Sequence, residues 1–246
     1  MTARRFLVVV TGLNAEARLA RAGAVRALAG GGDAARLEDE LRRALADGAA
    51  AVLSFGLAAG LAPGCRSGSL VIPDQVIDGT RRYATDTIWS ERLRAALRLR
   101  LASAGAPAPA ADRRPLAGVA APLVTRAAKL DLGHASGAIA ADMESHLAAR
   151  LAFGAGRPFA VLRAIADPAE RALPPAALVG MRADGGIDPI AVLKSLGRSP
   201  GQVSALYRVA ADARTAMAQL RRCRSALAPE FCWQPASPAP SRPAAR

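Results

Sequence analysis

Three largely apolar runs, Phe6–Val10, Ala50–Phe55 with Ser54 inside it and Pro158–Ile165 with Arg163 inside it, do most to limit the folds open to this chain. Each is too short to cross a membrane as a helix, and its apolar character predicts a strand buried in a core. Helical signals lie between them. Asn14–Arg21 opens a helix just beyond the first run, and Asp33 is a good N-cap for a helix through about Leu45. Trp89–Ala102, Thr125–Leu132 and a segment ending near Phe153 read as further helices. Ser69–Ile77, interrupted at Pro73, reads as a strand, as do Gly118–Val124 and Ala138–Ala141. Strands alternating with helices predict a layered α/β fold. Beyond residue 170 the pattern turns helical, over 174–181, 189–197 and 201–226. We expect one domain over residues 1–230. The Pro/Ala/Ser/Arg segment Gln234–Arg246 is expected to be disordered.

Composition narrows the function classes. At 52% hydrophobic, the 246 residues can bury a substantial core, which excludes a wholly disordered chain. The formal charge is +13, and of 33 Lys+Arg only Lys129 and Lys194 are lysines. Such charge suits nucleic acid, anionic lipid or phosphate, or simply a solvated arginine-rich surface. Aromatic residues are 4% and no nucleic-acid motif is present, which argues against nucleic acid as partner. Cys65, Cys223 and Cys232 form no CxxC and come with only two histidines, so neither a disulfide framework nor a Cys/His metal site is expected. The run after Arg4-Arg5 is too short for a secretion signal, and no apolar stretch is long enough to span a bilayer. A cytoplasmic location is the expectation.

Three acidic residues, Glu16, Glu144 and Asp167, stand at strand ends or loop-to-helix junctions, where open α/β sheets tend to bind ligands. Each alone reads equally as a cap or an ion-pair partner. Gly30-Gly31-Gly32 is a turn whose amides could converge on an anion or hydroxyl. Thr11-Gly12-Leu13-Asn14 lacks the further glycines of a dinucleotide site. Ser54, His134 and His146 form no recognisable nucleophile–base pattern.

Three segments carry a family resemblance. Ser54–Gly64 followed by Gly68–Asp74 resembles the TGSAGGL…GDIVV region of purine nucleoside phosphorylases and methylthioadenosine/S-adenosylhomocysteine nucleosidases. Ala141-Asp-Met-Glu-Ser145 resembles their VEMEA ribose motif, and Pro158–Pro168 their PFxxVRAISD strand. Order and spacing agree over about residues 6–170. Arg163–Arg171, Leu173–Leu178 and Ser199–Gln202 resemble a hopanoid-associated phosphorylase branch, implicated in removing adenine from adenosylhopane.

The resemblance implies a three-layer α/β/α sandwich with a central mixed sheet, a purine nucleoside substrate and a homo-oligomer, with no resident cofactor; inorganic phosphate is a possible co-substrate. It implies Asp167 as the acid at the leaving purine and Glu144 on the ribose hydroxyls, with Met143 packed on the sugar. It implies Glu16 beside the attacking water, Gly30, Gly31 and Gly32 as the turn beside the attack site, and Leu123 near the base. Departures from the family pattern are Ala166 and Leu57, each in place of a serine, Ala120 in place of an aspartate, and Pro122 where an aromatic residue often stacks. Leu57 and Leu61 suit an apolar groove for a hopane tail, or else fill core.

Purine anion leaves poorly, so protonating it is the main task. A free Asp at about 3.9 must rise by about 3 units, roughly 4 kcal/mol, to hold a proton near neutrality; Ala164, Ile165, Ala166 and Pro168 make desolvation a plausible cause. Glu144 is expected to stay ionised. No arginine precedes the small-residue loop, and nothing in the sequence places Arg21 or Arg26 at the site, so water and phosphate both stay open as nucleophile. The helix beyond Gln202 sets Val203, Leu206, Val209, Ala213, Met217 and Leu220 near one face and Arg208, Arg214, Arg221, Arg222 and Arg224 elsewhere. It suits packing on the sheet or lying on the inner face of a membrane. The rival readings are an enzyme of small soluble nucleosides and a non-catalytic nucleoside- or lipid-binding protein.

Overall fold

The computed structural model describes residues 5–102, 111–179 and 200–234. The strands are β1 (Phe6–Thr11), β2 (Val25–Ala29), β3 (Ala49–Gly60), β4 (Leu70–Val71), β5 (Gln75–Asp78), β6 (Arg81–Ala84), β7 (Leu116–Gly118), β8 (Ala140–Asp142) and β9 (Phe159–Asp167). The helices are α1 (Asn14–Ala20), α2 (Ala34–Ala46), α3 (Thr87–Ala102), α4 (Arg126–Ser136), α5 (Ser145–Gly154), α6 (Pro175–Val179) and, after a 3-10 turn, α7 (Val203–Ala226). One mixed sheet runs β2-β1-β3-β8-β7-β5-β6, with β9 pairing both β3 and β4.

Residues of β1 alternate between two cores, as the two-residue period of a strand requires. Val8 and Val10 join Leu37 and Leu41 of α2 and Leu147 and Leu151 of α5. Leu7 and Val9 join Ala20 of α1, Trp89, Leu93 and Leu97 of α3, and Leu220 and Cys223 of α7. Each fully buried Leu contributes about 1.5–3 kcal/mol relative to exposure. The outcome is the three-layer α/β/α sandwich around a mixed sheet.

Several segments differ from the sequence reading. β3 does not stop at Phe55 but runs through the small residues to Gly60, because Val52–Ala59 pair in parallel with β9 and override their weak strand propensity. Val25–Ala29, parallel to β1, is an additional edge strand. β5 and β6 form a hairpin whose two-residue turn begins at Gly79, with φ of 59°. The strand expected over 118–124 occupies only 116–118; Pro122 has no N–H to give a ladder, and the following residues form a loop. Asp33 caps α2, accepting from Arg36 N at 2.9 Å.

The C-terminal half of α7 buries Ala216, Leu220, Cys223 and Ala226, so this part of its apolar face packs on the sheet. Only its first turns expose apolar groups, Val203 at 55% and Tyr207 at 69%. No helix among the described residues is long and apolar enough to cross a membrane. The helix expected over 189–197 and nearly all of the tail after Gln234 lie outside the described residues.

Candidate functional site

The site begins as a gap in the sheet. On one edge of β3, β1 pairs with residues as far as Ser54, and β8 takes over only at Ala59. Between them the backbone of β3 faces no strand on that edge. Buried peptide groups need partners, and side chains supply them at Leu57. Its N–H donates to Glu16 Oε1 at 2.8 Å, and its carbonyl accepts from Arg163 Nη1 at 3.2 Å. Gly56 admits both: a Cβ there would lie 2.8 Å from Arg163 Nη1 and 2.8 Å from the Glu16 carboxyl.

Glu16 is fixed by its own helix start. Gly12 N and Leu13 N donate to its Oε2 at 2.9 and 2.8 Å, satisfying amides left open where α1 begins. Arg163, from the middle of β9, is wholly buried. Its Nη2 donates to Ser54 Oγ at 2.6 Å and lies 3.4 Å from Glu144 Oε2. Its Nε lies 2.6 Å from Asp142 Oδ2, an ion pair whose N–H is not aimed at the oxygen. Asp142 also accepts from Ser145 N at 2.8 Å and bonds to the Ser145 hydroxyl. This fixes the Met143-Glu144 turn before α5.

One guanidinium thus serves three buried carboxyls. Burial pushes Glu16 up against the pull of Arg163 and the three amides. Burial also pushes Glu144 up, to about 8; Arg163 opposes this, while Asp142 and Glu16 add to it. The direction at Glu144 is toward retaining a proton, against the expectation from sequence of a standing carboxylate. The sequence reading had no means of knowing that three acids would share one arginine.

At the other end of β9, Asp167 is 16% exposed at its side chain and lies 2.6 Å, through Oδ1, from the buried Lys129 Nζ. Burial raises its proton affinity, and the Lys129 ammonium works against that rise.

These groups line a cleft of about 210 Å³. Glu16, Leu57, Leu123, Met143, Glu144, Asp167 and Gly32 all border it, with Leu13, Val119, Pro122 and Leu173 supplying apolar wall. Gly30 borders a smaller adjoining hollow with Gly32, Met143, Glu144 and His146, and Gly31 borders neither. Two of the three amides of the glycine turn are already spent within the protein. Gly30 N and Gly31 N donate to the carbonyls of Thr11 and Gly12, both at 2.7 Å. Arg26 pairs with Asp47 at 2.8 Å instead of reaching the site. Arg163, Asp142 and Lys129 are the residues the sequence reading missed. Arg163 and Asp142 stood inside quoted motifs, and Lys129 was marked by being a rare lysine among arginines. Among the described residues no group of three His, Cys, Asp or Glu side chains could hold a metal ion.

Comparison with known proteins adds a family. The family model described as Phosphorylase superfamily matches residues 7–184. No curated protein shows significant sequence similarity to the chain. Among solved structures, the S-adenosylhomocysteine nucleosidase of Streptococcus pyogenes, in complex with 5-methylthiotubericidin, is 16% identical, covers 93% of this chain and 99% of its own, and has a TM-score of 0.59. The Helicobacter pylori MTAN mutant with 5′-methylthioadenosine in its active site is 13% identical, with 91% and 98% covered and a TM-score of 0.59. The futalosine hydrolase of Helicobacter pylori is 15% identical, with 66% and 88% covered and a TM-score of 0.53.

Proposed function

The chain belongs to the phosphorylase superfamily, and from that premise we propose that it cleaves the N-glycosidic bond of a purine nucleoside by hydrolysis, with a substrate of the adenosylhopane type. The observation that carries the reading is the juxtaposition, in one largely apolar cleft, of a half-buried aspartic carboxyl and a cluster of carboxyls around a single arginine. Asp167, protonated, gives its hydrogen to the purine nitrogen as the C–N bond breaks, and the bonding pair leaves with the base. Glu144 meets the ribose hydroxyls; once it is ionised, it and Glu16 stabilise the cationic sugar. Glu16 orients the attacking water and takes the proton it releases as the C–O bond forms. Nucleosidases and a futalosine hydrolase of the same fold support this reaction class.

Hydrolysis is favoured over phosphorolysis because the one arginine bordering the cleft, among the described residues, is already engaged by Asp142, Glu144 and Ser54. A phosphate there would meet carboxyls instead of free cations. The apolar wall at Leu13, Leu57, Leu123 and Leu173 favours an apolar 5′ substituent over a charged one.

The test is incubation with adenosylhopane, with and without phosphate, and mass analysis of adenine and the sugar product. Ribosylhopane formed without phosphate is the expected result. A phosphorylated sugar appearing only with phosphate would overturn the nucleophile. Turnover of methylthioadenosine at a comparable rate would replace the lipid with a small soluble nucleoside.

A further inference from the structure

We propose that Lys129 is the positioning residue of Asp167: its ammonium fixes one carboxyl oxygen and stabilises the carboxylate that remains when the proton leaves for the purine. This rests on the reading of Asp167 as the acid. Lys129 projects from the first turn of α4, whose start is set by Thr125 accepting from Ala128 N at 3.1 Å. Its side chain is wholly buried. Nζ has three acceptors: Asp167 Oδ1 at 2.6 Å, Arg171 O at 2.8 Å and Pro168 O at 3.3 Å. An ammonium has three hydrogens, so the set is filled. All three acceptors come from the last residue of β9 and the turn that follows it, so one cation ties the carboxyl to its own backbone exit.

A buried charge is costly, and an apolar side chain of similar volume would fill the space at less cost. The choice of lysine is also against the run of this sequence, where all but two of the 33 Lys+Arg are arginine. A guanidinium presents a planar fork of five donors and does not suit three acceptors converging on a point. The site requires a compact ammonium.

The proton inventory is simple. Before reaction Asp167 takes a proton from solvent. In reaction its O–H bond breaks, a purine N–H bond forms, and the glycosidic electron pair leaves with the base. Lys129 keeps its hydrogens throughout and lowers the energy of the carboxylate produced, which makes Asp167 a stronger acid. The other charged groups facing Asp167 are Arg171, from the turn after β9, and Asp212, from α7, which pair with each other; Arg208 of α7 stands beside them.

The experiment is the pH profile of kcat and kcat/KM for wild type, Lys129→Met, Asp167→Asn and the double variant, on whichever of adenosylhopane or methylthioadenosine the enzyme turns over. K129M should lower kcat by about tenfold or more while leaving KM within about threefold. Its alkaline limb should move up by about one pH unit, since losing the cation weakens the acid. In the D167N background K129M should change nothing further. A K129M profile coincident with wild type overturns the inference while leaving Asp167 as the acid. D167N with wild-type activity overturns the functional reading itself. If K129M does not fold, Lys129→Gln, which keeps a donor to Asp167 but carries no charge, takes its place. The same fall in kcat and the same shift of the alkaline limb are expected, and a wild-type profile overturns the proposal.

Discussion

Where β9 ends, one carboxyl, Asp167, meets one ammonium, Lys129; four residues back along the same strand, one guanidinium, Arg163, faces the three carboxyls Glu16, Asp142 and Glu144. The two sets stand roughly 13 Å apart along the strand. In both sets burial raises the carboxyl's proton affinity and the cation opposes the rise. Where three acids share one base, the neighbouring Asp142 and Glu16 add to burial, and Glu144 is pushed up to about 8. Burial sets the direction at both places on the strand, and the ratio of counter-charges sets how strongly it is opposed.

The largest expected effect comes from removing the shared cation. Arg163→Met leaves three buried carboxyls with no counter-charge and strips the Leu57 carbonyl and Ser54 of a donor. A loss of about 3–5 kcal/mol in unfolding free energy is expected from urea titration near neutral pH. The loss should shrink in acid, where the carboxyls hold protons. An R163M protein as stable as wild type would remove the charge asymmetry on which the comparison rests.

Asp167→Asn acts on the other set and should leave the fold standing, because the Asn carbonyl can still accept from Lys129. Adenine release should fall by about 10²–10⁴. A drop in stability comparable to that of R163M would mean that the Lys129–Asp167 pair is mainly structural.

A third expectation concerns pH. Glu144 has its folded pKa raised from 4.5 to about 8, so the folded chain binds more protons than the unfolded chain between those values. Its contribution to stability is therefore fully present below about 4.5 and is lost as pH rises through about 8. Thermal unfolding of wild type should carry this falling slope, and Glu144→Gln should flatten it. Equal slopes in both proteins would place the retained proton elsewhere in the cluster.

How much of this was legible in the sequence depends on the length scale of each signal. β1 is apolar up to Thr11 and β9 is apolar except at Arg163 and its last residue Asp167, so both were readable directly. The second half of β3 was not, because Gly56, Ala58, Ala59 and Gly60 look like a loop, and the smallness of Gly56 serves the Glu16 and Arg163 side chains that pass against it. Glu16, Glu144 and Asp167 were singled out by position and motif, and the fold brings them to one cleft. The charge state of Glu16 and Glu144 was hidden, since it depends on Arg163 reaching through a gap between β1 and β8 that exists only after the sheet forms. Similarly, Gly31 resembled part of an anion turn, yet its amide is taken by Gly12 O, a partner fixed by the tertiary fold.

The smallest effect sharpens the comparison from the substrate's side. Leu57 belongs both to the carboxyl cluster and to the cleft wall: its backbone clasps Glu16 and Arg163, while its side chain borders the cleft. Leu57→Ser keeps both backbone bonds, so the carboxyl cluster and its pH slope should not move. What changes is apolar wall, and a change of this size in a hydrophobic pocket is worth about 1–3 kcal/mol of discrimination. The ratio of kcat/KM for adenosylhopane over methylthioadenosine should therefore fall about tenfold, with little change in thermal stability. A ratio that stays put would locate the tail away from Leu57 and return that side chain to a filling role. A matched fall for both substrates would instead show that the hydroxyl disturbs Glu16 itself, and the independence of backbone clasp and apolar wall would be lost.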